Sequence, residues 1–448
     1  MLVKVLIPSG ALGLGFSEDA LNLGLKKNPD IIAIDGGSTD SGPFYLGTGT
    51  SKYSKATTKK EWSVLMKARA EADVPLLIGT AGTCGADSAV DWLLDIAKEI
   101  AAETGQSLKI CTIKCNQPAA RVANALSSGD VSPLKPEVPI SEELLASCTN
   151  IVALAGVEQI NHALESGADI VIAGRTTDTA VIAAYPISKG CHVGAAWHGA
   201  KIGECGALCT TKPGSGVILI EFDETGFEIT PMDPGAKATP RTVSAHMLYE
   251  NSNPYQLYEP GGYLEVSQAK YSAVSDKTVR VEGSQWIETA PYTVKLEGAT
   301  HAGYQTLSHV IIRDARYVEN VDRWIDLVKA DFLAKFTDFN PNTSSIEFRV
   351  MGKDAVLGHL ENRNSSAPEL GVMVIVTAPT QEQATEIARA LNPALLHLAL
   401  DADEALPTFA FPFSPAETER GPIYEFCLNH VMALNDPLEA FSFDTVEV

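Results

Sequence analysis

The chain is short of positive charge: 34 lysines and arginines face 56 aspartates and glutamates, a formal net charge of -22 over 448 residues. That deficit argues against a nucleic-acid partner, whose phosphates demand clustered basic surface, and it favours a freely diffusing protein. No run approaches the roughly 20 apolar residues that a bilayer span needs, so no membrane partner is expected. Met1-Leu2-Val3-Lys4-Val5-Leu6-Ile7-Pro8 enters a strand pattern directly, without a charged leader or a small-residue cleavage site, and a cytoplasmic location is expected. Cysteine is scarce. The eight cysteines include no CxxC pair and several sit in apolar runs, which suits reduced buried thiols rather than a disulfide framework. Cys205 and Cys209, beside His198 and Glu204, are the one cluster that hints at a metal. There is no GxSxG elbow and no internal repeat. The glycines at 10, 13 and 15 do not reproduce GxGxxG, so neither a nicotinamide nor a flavin cofactor is expected.

What the chain does have is a set of apolar runs that stop abruptly in glycines, hydroxyls and carboxylates. Ile31-Ile32-Ala33-Ile34 ends in Asp35-Gly36-Gly37-Ser38-Thr39-Asp40, and Val74 to Gly79 ends in Thr80-Ala81-Gly82-Thr83-Cys84-Gly85-Ala86-Asp87. Leu108 to Ile113 ends in Lys114-Cys115-Asn116-Gln117, and Asp169 to Ala173 ends in Gly174-Arg175-Thr176-Thr177-Asp178. Short apolar runs bounded by turn signals are buried strands of a covered parallel sheet. Amphipathic stretches such as Ser88 to Glu103 have the length of crossover helices between them. Open parallel sheets bind ligands beyond the strands' carboxyl ends, so these loops are expected to meet at one edge.

Length and a 45% hydrophobic content imply two or three domains with real cores. The expected class is α/β: a mostly parallel, doubly wound sheet over residues 1–215, a mostly β section over 216–305, and a small α+β domain with a docking tail over 306–448. A strand, helix, strand, strand, helix order from His309 to Leu391 suggests a ferredoxin-like domain. Thr300-His301-Ala302-Gly303 reads as a turn, and Tyr424 to His430 as a short helix.

Gly13-Leu14-Gly15-Phe16-Ser17, the loop from Asp35 to Pro43, the stretch from Gly79 to Asp87, and Gly174-Arg175-Thr176-Thr177-Asp178 resemble the acyclic terpene utilisation (AtuA) family over most of residues 1–400. The resemblance implies a bacterial or fungal catabolic protein associated with branched acyclic acids or their thioesters. It also implies a small ferredoxin-like domain in longer members and a separate small partner protein for shorter ones.

The residues themselves suggest acid–base chemistry. Asp35, Asp87 and Asp178, each at a strand end, are candidates for a carboxylate pair with separated pKa values, and Asp35 with Asp40 for a hard divalent cation such as magnesium. The alternative is plain loop capping, which Asp, Ser and Thr perform in turns without chemistry. Arg175 is the candidate anion clamp, its alternative being an ion pair with Asp178. Gly13, Gly15, Gly36, Gly37, Ser38, Thr39, Thr83, Asn116 and Thr176 complete the expected substrate-binding set. His301 is a candidate proton carrier, His198 a lesser one, and Cys84 a nucleophile without a histidine near it in sequence. Tyr255, Tyr258 and Tyr263 are candidate walls of an apolar pocket. The expected activity is a lyase or hydratase step on a small carboxylic acid or acyl-CoA thioester, by proton abstraction alpha to a carbonyl. Hydrolysis of an ester, lactone or amide by activated water is the second expectation, and a non-catalytic assembly subunit the third. Association into a homo-oligomer is expected from size alone.

Overall fold

Apolar and small residues through their middles make Val3–Ile7, Ile31–Asp35, Leu76–Gly79, Lys109–Lys114 and Ile170–Ala173 strands that can be buried on both faces. In the computed structural model, which describes residues 1–37, 41–363 and 367–448, these five strands pair in parallel. The last of them inserts between Leu76–Gly79 and Lys109–Lys114. That insertion decides the site, because it sets the loop after Ala173 directly beside the loop after Gly79. Thr80 N donates to Gly174 O at 2.8 Å and Arg175 N to Gly85 O at 2.9 Å.

Alternation along the strands feeds two cores. Val3, Val5 and Ile7 pack with residues of the helices Val157–Glu165, Ala180–Ser188 and Val193–Gly203, including Ile160, Val181 and Trp197. Leu6, Ile32 and Ile34 pack with Leu21, Trp62, Leu65 and Leu93 of the helices Glu18–Leu25, Lys55–Ala72 and Asp87–Thr104. Antiparallel strands extend the sheet: Ile218–Phe222, Gly226–Pro231, Val279–Glu282 and Lys270–Ala273 beyond Val3–Ile7, and Ser442–Glu447 beyond Lys109–Lys114. Thirteen α-helices and large mixed sheets occur among the described residues, an α/β composition. No helix among the described residues is long and apolar enough to cross a membrane.

The chain forms two compact units, Met1–Thr300 with Phe426–Val448, and His301–Glu425. The smaller unit is built on an antiparallel sheet in which Leu370–Ala378 lies between Ser345–Met351 and the residues Tyr304 to Ile312. The helices Val321–Lys335 and Gln381–His397 bury Trp324, Val328, Phe332, Ile387 and Leu391 in its core. Two local expectations fail. Thr300 to Gly303 is no turn but part of one 21-residue strand, Tyr292–Ile312, with a register shift between Ala299 and Thr300. Such a bulge absorbs an extra residue without ending the ladder. Residues 424 to 426 belong to the strand Glu417–Phe426 rather than to a helix, because a sheet partner outweighs the weak helical propensity of so short a run.

Candidate active site

At the strand ends the backbone turns through close-packed loops. Gly36 N donates to Gly79 O at 2.7 Å and to Asp35 Oδ1 at 2.8 Å. A Cβ on Gly36 would lie 2.2 Å from Thr80 O, so only glycine permits this approach. Thr80 and Thr83 hold φ values of 44° and 78°, a left-handed conformation that β-branched residues rarely adopt. Strain of this kind persists where neighbours over-determine it. Here the Thr83 hydroxyl donates to Gly36 O at 3.1 Å.

These loops border a cleft of about 430 Å³, lined among others by Gly15, Asp35, Gly37, Lys52, Thr83, Asp178, Glu204, Cys205 and Glu250. Among its described lining residues four carboxylates face one basic side chain, Lys52, whose ammonium donates to Ser41 Oγ at 2.9 Å.

Arg175 is buried at 6% exposure and is engaged by the protein itself. Its Nε donates to Glu297 Oε2 at 2.9 Å and its Nη2 to Glu297 Oε1 at 3.3 Å. Its Nη1 reaches Thr176 O at 2.9 Å, Thr80 Oγ1 at 3.2 Å and Asp178 Oδ1 at 3.4 Å. Burial works to raise the Glu297 carboxyl, but Arg175 and then Lys295 win and hold it down to about 2. Asp35 goes the other way. Burial first and the charge of Asp178 second push it well above the usual carboxylate range, against the pull of Arg175 and the Gly36 amide. Burial likewise pushes Glu204 up to about 8, although Lys201 Nζ sits 2.5 Å from its Oε1. Burial also lifts Glu259 to about 7. Its Oε1 accepts from the Thr179 hydroxyl and its Oε2 has no hydrogen-bond partner. The charge of Asp178 helps raise all three, so three carboxyls of raised proton affinity feel one aspartate.

A family model described as acyclic terpene utilisation family protein AtuA matches residues 63–404 of the 448. The chain belongs to the acyclic terpene utilisation family. No curated protein and no solved structure matches this AtuA-family chain. The matched span includes Thr83, Asp87, Arg175, Asp178, Glu204, Glu259 and Glu297, and begins after Asp35.

Of the residues singled out in the sequence of this AtuA-family protein, Gly15, Asp35, Gly37, Thr83 and Asp178 line the cleft. Gly36, Arg175 and Thr176 are buried and bonded to protein groups. Gly13 N donates to Glu61 Oε2 at 2.6 Å. Asp87 Oδ1 accepts from the amides of Cys115 and Asn116 at 2.9 and 3.0 Å, and Asn116 Oδ1 accepts from Asp87 N at 3.1 Å. That arrangement is a capping exchange which fixes the end of the Lys109–Lys114 strand. His301 is exposed in the smaller unit, its ring edge-on to Tyr304 and Tyr424. Ser38, Thr39 and Asp40 lie outside the described residues. His198 is fully buried between Ser284 Oγ and Tyr271 OH, and burial lowers it to about 3. Burial raises the Cys84 thiol, which leaves it a poor nucleophile. Tyr258 and Glu259 border a second cavity of about 440 Å³.

Glu259 carries a pH signature. Its proton stabilises the folded chain in full below its ordinary value of 4.5, and that stability is lost as pH rises through about 7. Glu259→Gln is therefore expected to flatten the fall in stability between pH 5 and pH 8. At pH 8 it should exceed the parent by roughly 2–4 kcal/mol, because the parent's Glu259 is raised from 4.5 to about 7. Denaturant titrations of both proteins at the two pH values check this.

Proposed function

We propose that this chain is a catabolic enzyme that moves a proton at the carbon alpha to the carbonyl of a small, branched carboxylic acid or its acyl thioester, a lyase or hydratase step. The observation that carries the proposal is Asp35: a carboxyl lining the strand-end cleft whose proton affinity burial and Asp178 raise well above that of an ordinary carboxylate. The AtuA family match supports the substrate class. Lys52 is the cleft's candidate partner for a substrate anion, while Arg175, engaged by Glu297, holds Asp178 and the Thr80 loop. Asp35 carries the proton and Asp178 sets its affinity.

The same proposal includes two finer statements of fold. Helices packed on both faces of the parallel strands support a doubly wound larger unit. In the smaller unit the order strand, helix, strand, strand, helix, strand supports a ferredoxin-like domain, with Leu370–Ala378 between the end strand Ser345–Met351 and Tyr292–Ile312, and Glu417–Phe426 paired with Tyr292–Ile312.

Incubating the chain in D₂O with branched acids and their CoA thioesters, followed by proton NMR, tests the reaction. Deuterium at the alpha carbon of at least one substrate is expected. Release of acid or alcohol without exchange points instead to activated water, and binding with neither product nor exchange would leave an assembly subunit.

A further inference from the structure

Glu204, Cys205 and His246 each bring one ligand atom within 4.8 Å of the other two, and we propose that they form a three-ligand site for a zinc-class transition metal ion on the wall of the cleft. The donor set decides the class. One thiol, one imidazole and one carboxylate suit zinc and its neighbours, whereas magnesium and calcium take oxygen ligands alone. The second, independent observation is His246. It is 5% exposed, and its Nε2 is buried with no hydrogen-bond partner. A buried ring nitrogen left unbonded is costly, and an ion bound through Nε2 would remove that cost.

The backbone delivers the three ligands from two fixed places. Glu204 and Cys205 follow the helix Val193–Gly203 directly, and Gly10 lets the first strand-end loop approach Cys205, since a Cβ there would lie 3.0 Å from Cys205 Cα. His246 ends the helix Pro240–His246, whose start is capped by Thr239, and its ring stacks on Tyr249 at 5.3 Å. Lys201 holds Glu204 Oε1 at 2.5 Å, which orients the carboxylate as outer-shell partners of metal ligands do and leaves Oε2 for the ion. Tetrahedral ligands at zinc bond lengths stand ~3.3–3.8 Å apart. Closing the cluster from 4.8 Å therefore needs a side-chain shift of about 1 Å.

Three protein ligands leave a fourth position, the pattern of catalytic rather than structural zinc. Glu204 and Cys205 line the same cleft as Asp35 and Asp178, so the open position belongs to the substrate space. This deepens the proton-transfer reading and rests on it for the ion's role: the ion would bind a carbonyl or carboxylate oxygen while Asp35 moves the proton.

The test uses the full chain stripped with a chelator and titrated with Zn²⁺ or Co²⁺ alone. Expected are one ion per chain by calorimetry and a thiolate-to-cobalt charge-transfer band in the Co²⁺ form. Cys205→Ser should abolish the band, His246→Gln should weaken binding at least ~10-fold, and Glu382→Gln, exposed in the smaller unit, should bind as the parent does. No binding by the parent chain, or a cobalt spectrum without a thiolate band, overturns the site without reference to any variant's folding. Affinity unchanged in both ligand variants overturns it equally. Deuterium exchange by a chain that binds no ion would sink this inference and leave the proton-transfer reading standing, whereas metal binding without exchange would do the reverse.

Discussion

Asp35→Asn is expected to lower turnover by ~10²–10⁴-fold, the usual contribution of a positioned proton carrier, and at the same time to make the chain more stable at neutral pH. Asparagine keeps an oxygen that accepts from the Gly36 amide, now 2.8 Å from Asp35 Oδ1, so the capping bond survives. What disappears is the charge that burial and Asp178 disfavour. The sign follows from the raised folded-state affinity for a proton: protonated Asp35 stabilises the fold in full below its ordinary value of 3.8, and this is lost as pH rises through the raised value. Above the ordinary value the parent bears the cost of keeping Asp35 either protonated or charged in a buried place, and the variant does not. A melting temperature higher by about 2 °C or more at pH 8, and no gain at pH 4, is expected if that cost is ~1 kcal/mol. Calorimetric melting at the two pH values with turnover at pH 8 checks both halves. Intact turnover with a lower melting temperature would show Asp35 to be a loop cap and nothing more.

The second large effect lies beneath the cleft. Arg175→Met or Glu297→Gln is expected to destabilise the larger unit by about 3–5 kcal/mol, the cost of leaving one half of a buried ion pair without the other. Glu297 is 5% exposed and takes both arms of the guanidinium. Removing Arg175 is the harsher change, because its charge also lowers the energy of ionised Asp35 and it bonds to Asp178, whereas Lys295 Nζ, 3.1 Å from Glu297 Oε1, partly compensates. The double variant Arg175→Met with Glu297→Gln should cost less than the sum of the singles, since the pair's charges are removed together. Urea unfolding of the four proteins gives the coupling. Single-variant costs below about 1 kcal/mol would make this pair no better than a surface one.

Much of the scaffold was legible from residue patterns. A strand buried on both faces must be apolar at nearly every position, so Ile31 to Ile34, Leu76 to Ile78 and Ile170 to Ala173 announce themselves, and the glycine-rich polar loops after them announce a shared edge. The acidic character of Asp35 and its possible partner Asp178 could be named for the same reason. The boundary errors were local. A Thr-His-Ala-Gly stretch has turn composition, yet the ladder runs through it, because pairing partners far along the chain outweigh four residues' preference.

The sequence by itself determined the α/β class, the polar strand-end loops that border the cleft, and the family. Which charges meet there was decided by tertiary structure alone. Sequence proximity suggested Asp178, three residues on, as the partner of Arg175, but the bidentate partner is Glu297, 122 residues away. Glu259 and His246 sit in stretches with no local motif, and their chemistry comes from what the fold packs around them: burial that lifts one carboxyl to about 7 and leaves one imidazole nitrogen unbonded. The physical reason is that apolar periodicity is a property of neighbouring residues, while desolvation and charge pairing depend on distances that exist only after the strand Ile170–Ala173 has inserted between its two neighbours and the loops of the sheet edge have closed on one another.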